Sequence, residues 1–355
     1  MGLNTDYKTA VELTGAAQAA AEALDAAMPM AEWLPTKQNP TLSYSFDASA
    51  VKPVDVAGYR AFDTEAPYGQ LGPTITKEGK LPPISRKLPV SEFTELSFSN
   101  QLSALGTKLE DYAARLGAGV AARLELARVE ALLTGKLVLA ENGITATIDY
   151  GRDPALTIPL PGAAAARWDS ADSTPVDDLI AWRELVKVAS HGSLPSALAV
   201  SNRVLSALQA NKQVIAFALG RSDKLPTRVS TEAVQQVLSG MAGITRLVVA
   251  DDAYSVYDFG RPVFPDGQVV LLPPSGGLAI GGEGSLGSTD FGVTAEAIQP
   301  SYGIGEGERA GIFSGAFDRH DPEGLDVLVS AVALPLVQRA NATLGATVIA
   351  TAPLG

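Results

Sequence analysis

One stretch of this chain limits its fold more than any other. Leu102, Leu105, Leu109, Tyr112, Leu116, Val120, Leu124, Ala127 and Ala131 recur at steps of three and four, the spacing that lines one face of an α-helix. Ser97 or Ser99 can cap its start, and Gly135 can end it as the C′ residue. The run predicts a helix of about 35 residues and about 50 Å, a spine longer than one small domain. Gly106, Gly117 and Gly119 interrupt it and each costs up to about 1 kcal/mol of helix stability. A bend or a close packing partner is therefore expected at its middle.

The segments before the spine lack a core of their own. Residues 9–27 are alanine-rich, with Val11, Leu13 and Leu24 as the larger apolar groups, and read as a helix of low amphipathicity stopped by Pro29 and Pro35. Such a helix has little reason to fold alone and is expected to be an arm that docks elsewhere. Residues 41–90 hold short alternating runs such as Leu42, Tyr44 and Phe46 around Pro53, Pro67, Pro73, Pro82 and Pro83. No helix fits there, and a connection of roughly 50 residues without a packable core is rare in a compact domain. Tyr44, Phe46, Tyr59, Phe62, Tyr68 and Phe93 weigh against disorder, so the stretch reads as a two-stranded β arm reaching beyond its own subunit.

After the spine, the runs 136–140 and 144–149 flank Glu141-Asn142-Gly143, and Asn-Gly between apolar runs is a strong hairpin signal. Residues 154–166 read as a crossing loop, and Thr174-Pro175 as the cap and first position of another helix. From there helices and short strands alternate: helices at 176–190, 202–210 and 231–239, strands at 197–200, 245–249 and 269–272. Residues 311–350 hold two β-rich runs around Asp321-Pro322, expected to pair back with strands near the spine. The first domain is thus discontinuous, and no repeat of fixed period is present. The expected division is 1–40 arm, 41–95 extended β loop, 96–174 spine helix and hairpin, 175–310 α/β domain and 311–355 β return.

Composition bounds the function. At 355 residues, with 46% hydrophobic and 19% charged residues, the chain is an ordinary globular one of one or two domains. It has no cysteine, which excludes disulfides, thiolate metal sites and thiol nucleophiles and suits the cytoplasm. A net charge of -12 argues against a protein that neutralises phosphates, although a container can be acidic because its wall should not grip a packed polyanion. The opening residues are interrupted by Asp6, Lys8 and Glu12, unlike a secretory signal. The apolar run 325–337 is too short to span a bilayer and contains Asp326 and Pro335.

The search for chemistry assigns no catalytic, cofactor-binding or metal-ligating residue. Of the two histidines, His191 follows a helix, where the dipole favours an imidazole, and His320 lies in a polar turn. Neither has ligand spacing. Residues 282–287 spell Gly-x-Gly-x-x-Gly, but the loop and strand that follow give no helix N-terminus for a pyrophosphate. Thr134-Gly135-Lys136 ends a helix instead of opening one, and no Gly-x-Ser-x-Gly elbow occurs. Asp177 with Asp178 sits in a helix's first turn and Asp251 with Asp252 at a turn after a strand, both structural positions. Asn341-Ala342-Thr343 is a glycosylation acceptor in form only, without an export signal.

This order of elements resembles the fold of tailed-phage major capsid proteins, and particular segments resemble the lambda-like capsid protein E family. The closest is RLELARVEALLTGKLVLAENGITATIDYGRD at 123–153. ARWDSADSTPVDDLIAW at 166–182, the run 247–281 with Phe264-Pro265-Asp266-Gly267, and Asp321-Pro322 followed by SAVALPLV at 330–337 support it. The first 90 residues agree in architecture alone. The resemblance implies an α+β capsid fold with N-terminal arm, extended β loop, spine helix, peripheral domain and axial α/β domain. It implies pentamers and hexamers of the chain itself closing into an icosahedral virion head, with the loop of one subunit over the next and the arm clasping a neighbour. A decoration protein, a scaffold, a portal and double-stranded DNA held without sequence-specific contacts are the implied partners, with assembly in the host cytoplasm and no membrane contact.

Some shells of this fold are cross-linked between a loop lysine and an asparagine. Lys77, Lys80 or Lys87 with Asn341 would be the pair here, but the lambda-like family relies on decoration proteins and no cross-link is expected. An encapsulin-like compartment is the nearest alternative, followed by an α/β hydrolase on residues 175–300, which lacks a catalytic set.

Overall fold

The computed structural model describes residues 2–47, 57, 59–62, 64–65, 76–98, 102–220, 226–250, 263–275, 285–321 and 323–350. In chain order the elements begin with β1 (Leu3–Asn4), α1 (Ala10–Ala27), β2 (Thr36–Gln38), β3 (Ser43–Asp47), β4 (Thr76–Lys80) and β5 (Pro83–Val90). There follow α2 (Glu92–Ser97), the spine α3 (Leu102–Thr134), β6 (Lys136–Glu141), β7 (Ile144–Asp149) and β8 (Thr157–Ile158). The α/β segment brings α4 (Pro175–Ala189), β9 (Ala197–Val200), α5 (Asn202–Ala210), α6 (Lys212–Leu219), α7 (Thr231–Ala242), β10 (Arg246–Val249) and β11 (Gln268–Leu272). The chain closes through β12 (Gly287–Gly292), β13 (Ile312–His320), β14 (Glu323–Val337) and β15 (Leu344–Thr347).

The spine is present as its spacing predicts, 33 residues long and about 50 Å at 1.5 Å per residue. Leu105, Leu109, Ala113, Leu116, Val120, Leu124, Ala127 and Ala131 are buried along one face. Its start differs from the expectation. Ser97 belongs to the separate short helix α2, which is capped by Ser91 accepting from the Thr94 N–H, and Ser99 lies outside the described residues. The glycines answer a packing need: a Cβ on Gly117 would lie 2.2 Å from the carbonyl oxygen of Ala17, so α1 crosses the spine with backbones almost touching.

That crossing seats α1, the helix of the expected arm, on the spine of its own subunit. The helix starts with a capping box between Thr9 and Glu12 and buries Ala10, Leu13, Thr14, Ala17 and Ala21 on its own subunit. Thr14 Oγ1 donates to the Ser314 carbonyl at 3.1 Å and accepts from the Ser314 N–H at 3.0 Å. The low amphipathicity has a physical reason: a face of alanines lets two helices approach closely, so contact comes from backbone proximity instead of long side chains.

Two larger sheets flank the spine. The first has the order β1-β13-β14-β12-β2, with β5 also paired to β14. β13 and β14 form a hairpin in register from Ile312↔Ala331 to His320↔Glu323, and the second half of β14 continues beside β12. The second sheet has the order β10-β9-β11-β15-β8, with β9/β10 and β15/β8 parallel. Helices α4, α5, α6 and α7 pack together in this α/β part. Two main cores form: one around Leu109, Leu124 and Val329, which also takes in Ala199, Val270 and Leu272 of the second sheet, and one around Leu179, Leu198 and Val269.

Strand exchange between the parts goes further than the sequence reading. The C-terminal run around Ala346 joins β11 and β8 in the α/β sheet and not the sheet of β13 and β14. Conversely β12, from within 175–310, pairs with β14. Fully buried strands carry no alternation that would name their partner.

Candidate assembly surfaces

The end of the spine is built by the segment 150–157. Gly135 takes φ 70° as the C′ residue, and Arg152 supplies what the helix end lacks. Its Nη1 donates to the Leu132 carbonyl at 2.7 Å, and its Nη2 donates to the Leu133 carbonyl at 2.5 Å and to Thr157 Oγ1 at 2.8 Å. One guanidinium thus satisfies two orphaned carbonyls and places positive charge at the negative end of the dipole. Burial lowers its pKa to about 10, which leaves it charged at neutral pH. Tyr150 is fully buried and its hydroxyl donates to the Pro335 carbonyl at 2.5 Å, tying the hairpin's end to β14. Desolvation pushes this phenol well above its ordinary value. Asn142 and Gly143, at φ 45° and 86°, close the hairpin as the Asn-Gly signal requires.

The middle of the spine carries a buried ion cluster. Arg128 Nη1 donates to Asp25 Oδ1 at 2.5 Å, its Nη2 to Asp25 Oδ2 at 3.4 Å, and its Nε to Thr289 Oγ1 at 2.8 Å. Glu125 accepts from the Met30 N–H at 2.9 Å and faces Arg128 Nη1 at 3.4 Å. Glu125 and Arg128 are both fully buried. Desolvation raises the Glu125 pKa against the lowering pull of Arg128. Three separate stretches, α1, the turn at Met30 and β12, are thereby fastened to one point of α3. The turn also reaches the α/β sheet: Glu32 pairs with Arg246, whose guanidinium lies 5.3 Å over the Trp33 ring, and Trp33 Nε1 donates to the Pro273 carbonyl at 2.8 Å.

The β3–β4 pair grows out of this frame, with Tyr44 and Phe46 buried in the main core and the Phe46 ring 6.2 Å from that of Tyr150. β3 and β4 pair in register from Ser43↔Lys80 to Asp47↔Thr76 as a separate two-stranded ribbon. Between them residues 57, 59–62 and 64–65 are described, and of these Tyr59 and Phe62 stand 110% and 97% exposed. Whether the ribbon reaches beyond the subunit falls largely on residues outside those described. Between the spine, the β6–β7 hairpin and β5 runs a groove of about 510 Å³. Its walls are Leu116, Val120, Leu124, Leu137, Leu139 and Pro335, and its rim carries Arg86, Arg123 and Glu141.

The residues weighed for chemistry are scattered. His191 follows the end of α4 at φ 56°, exposed, and His320 ends β13 at the exposed turn. Asp178 accepts from Trp168 Nε1 at 2.9 Å, and burial raises its pKa. It orients Trp168, which stacks on Trp182 at 5.6 Å, while Asp177 is exposed. Asp251 and Asp252 lie outside the described residues, as do residues 282–284 of the glycine motif, whose last member Gly287 opens β12. Thr134 caps the spine's end through its hydroxyl, which donates to the Glu130 carbonyl at 2.8 Å. Lys77 and Lys80 lie on β4 and Lys87 on β5; Asn341 Oδ1 accepts from the Asp153 N–H at 2.8 Å. Among the described residues no group of three or more His, Asp or Glu could hold a metal, and no helix is long and apolar enough to cross a membrane.

The sequence reading did not assign roles to Arg152, Tyr150, Glu125, Arg128 or Asp25. Two buried charges a turn apart in an apolar helix face were the available signal for the cluster.

Residues 98–348 match the sequence family described as phage major capsid protein E. Comparison with curated protein sequences gives no match. Among solved structures, the chain is similar to a phage-related protein from Bordetella bronchiseptica RB50 (16% identity, 93% of this chain and 95% of that one, TM-score 0.55). It is also similar to a prophage capsid protein from E. coli CFT073 (14%, 78% and 80%, 0.53) and to a chain of the satellite phage P4 procapsid that includes the size determination (Sid) protein (9%, 95% and 92%, 0.51). At these identities the structures speak for the fold.

Proposed function

Since the chain belongs to the phage major capsid protein E family, we propose that its copies close through five- and six-membered rings into the icosahedral head around a tailed phage's double-stranded DNA. Its role as a shell-building capsid protein and virion component is that of the family; the rings, the DNA and the other partners are our reading. The observation that carries it is the contrast between a frame locked by buried ion pairs and a ribbon with bare aromatic rings. A heterologous contact whose rotation closes after five or six copies makes such rings.

In this reading the spine, its hairpin and the sheet of β13 and β14 are the peripheral part, and the α/β sheet with α4 to α7 is the axial part. The work is construction and not catalysis, with no cofactor, metal or catalytic residue. The net charge of -12 suits a wall along which DNA slides during loading. A decoration protein, a scaffold and a portal complete the head, which forms in the host cytoplasm.

Electron microscopy of the chain expressed alone and with its neighbouring genes tests this. Closed particles built of five- and six-membered rings are expected, loaded with DNA when the packaging genes are present. Particles filled with protein and lacking a portal would point to an encapsulin-like compartment, and a permanently solitary monomer would end the proposal. Boiled denaturing gels of mature shells should give a single subunit band, as expected without a cross-link from Lys77, Lys80 or Lys87 to Asn341.

A further inference from the structure

We propose that Asn142, at the tip of the β6–β7 hairpin, is a site of spontaneous covalent modification, where the side-chain amide becomes a carboxylate through a cyclic imide formed with Gly143. The reaction is the chain's own and does not depend on the closing of shells. Asn142-Gly143 is the one asparagine–glycine pair in the sequence; every other asparagine is followed by a residue that carries a side chain. Glycine, lacking a Cβ, leaves its backbone nitrogen open to close approach.

The fold leaves this pair unclasped. Glu141 pairs with Ile144 as the last rung of the hairpin, so Asn142 and Gly143 form a two-residue turn, both at positive φ and both exposed. A Cβ built on Gly143 meets nothing within 4 Å, so no neighbour bars a base or a water. Among the described residues no hydrogen bond holds the Asn142 side chain or the Gly143 N–H. By contrast the side chains of Asn4, Asn39, Asn211 and Asn341 are held, on Asp318, Asp290, Ser173 and the Asp153 N–H. Asp266-Gly267, which shares the imide chemistry, is clamped. The Gly267 carbonyl accepts from the N–H groups of Val348 and Ile349 at 2.8 and 3.1 Å, and the Ile349 carbonyl crowds its Cα.

The steps balance with water as the one co-reactant. The Gly143 nitrogen gives its proton to hydroxide and attacks Asn142 Cγ. The N–Cγ bond forms, the Cγ–Nδ2 bond breaks and ammonia leaves, which closes the imide. Water attack at Cγ reopens it to aspartate on an ordinary backbone. Attack at the main-chain carbonyl carbon of residue 142 breaks the original peptide bond instead and gives isoaspartate, whose main chain runs through Cβ and Cγ. Either product sets a carboxylate beside Glu141, which Arg123 holds at 2.7 Å, so two acids compete for one guanidinium. Isoaspartate also adds a backbone atom to a turn whose two residues fit the twist of its strands, which loosens the last rungs of the hairpin. The hairpin tip, which lines the groove beside the spine, thus gains charge and slack with age.

Full-length chain, freshly purified and kept free of denaturant, is incubated at pH 6 and at pH 8 and then digested with trypsin. Peptide 137–152 has Asn142 as its one amide side chain, so its mass gain reads conversion directly. Methylation by protein isoaspartate methyltransferase reads the isoaspartate share. Conversion at Asn142 is expected to be about tenfold or more faster than at Asn211 or Asn341, and about tenfold or more faster at pH 8 than at pH 6, because imide closure needs a deprotonated nitrogen free to approach. Asn142→Gly, which keeps the positive φ of the turn, should show no mass gain in the same peptide, and Asp266-Gly267 should yield no isoaspartate in the native chain. Conversion at Asn142 no faster than at Asn211 and Asn341 in the native chain overturns the proposal, even where the denatured chain converts, because the fold then shields the pair. Acid formed without isoaspartate overturns the imide route.

Discussion

Arg128 and Asp25 meet at 2.5 Å from opposite ends of a separation of 103 residues, one on the spine and one at the end of α1. The arginine is fully buried and the aspartate partly exposed, so the pair fastens the N-terminal helix at the boundary between core and solvent. Replacing Arg128 by Met leaves Glu125 buried without its counter-charge, a change that costs about 3–5 kcal/mol. Chemical denaturation should register that loss, and limited proteolysis should cut the first 40 residues sooner than in the unaltered chain.

The same cluster gives a pH dependence of definite sign. Burial raises the folded pKa of Glu125, so folding disfavours its ionised form relative to its protonated one. Its contribution to stability is full below the unfolded value of about 4.3 and is lost as pH rises through the folded pKa. Glu125→Gln is expected to equal or exceed the unaltered chain in stability at pH 8, with the difference shrinking as pH falls toward 5. Thermal midpoints of the two proteins across that range measure it.

Arg152 is irreplaceable by lysine, because one ammonium cannot reproduce a planar fork that reaches Leu132, Leu133 and Thr157 together. Arg152→Lys is expected to lose about 1–3 kcal/mol and Arg152→Met about 3–5 kcal/mol. Urea midpoints at constant slope distinguish this from a change in compactness.

Two glycines of one helix should respond oppositely. At Gly117 a methyl group would meet the Ala17 backbone at 2.2 Å, whereas at Gly119 it would meet open space. Gly117→Ala should cost about 1–3 kcal/mol by pushing α1 off the spine, and Gly119→Ala should gain up to about 1 kcal/mol of helix stability. Calorimetry of both single variants decides it.

Deletions should separate frame from attachment. Removing residues 1–40 strips α1 from the spine and uncovers its apolar face, so an insoluble or unfolded product is expected. Shortening the stretch between Pro53 and Pro83 ahead of β4 spares Leu81 and the rest of that frame and should leave a soluble subunit that forms no shells. Sedimentation velocity and microscopy read both outcomes, and normal shells from the shortened loop would show that it is not an assembly arm.

What could be read beforehand followed the strength of local signals. The spine, the Asn-Gly hairpin and the helices at 175, 202 and 231 announce themselves by period, cap and turn chemistry within a dozen residues. Partnerships across hundreds of residues do not: nothing local tells Ala346 to join β11, or Thr289 to meet Arg128. The helix α6, Lys212–Leu219, is short and mostly apolar, and period alone cannot separate such a run from a strand. Alanines on α1 looked featureless because their contribution is closeness, which appears only when Gly117 lies opposite.

β14 has one more consequence. It runs for 15 residues without interruption, with β13 along one flank and β5 and then β12 along the other. Its hydrogen bonds stand across the strand, so a tension pulling along it loads them in shear, many together, instead of peeling them one at a time. A wall stretched from within would find in this strand a tendon, and the first place to give would be the short ties at its ends.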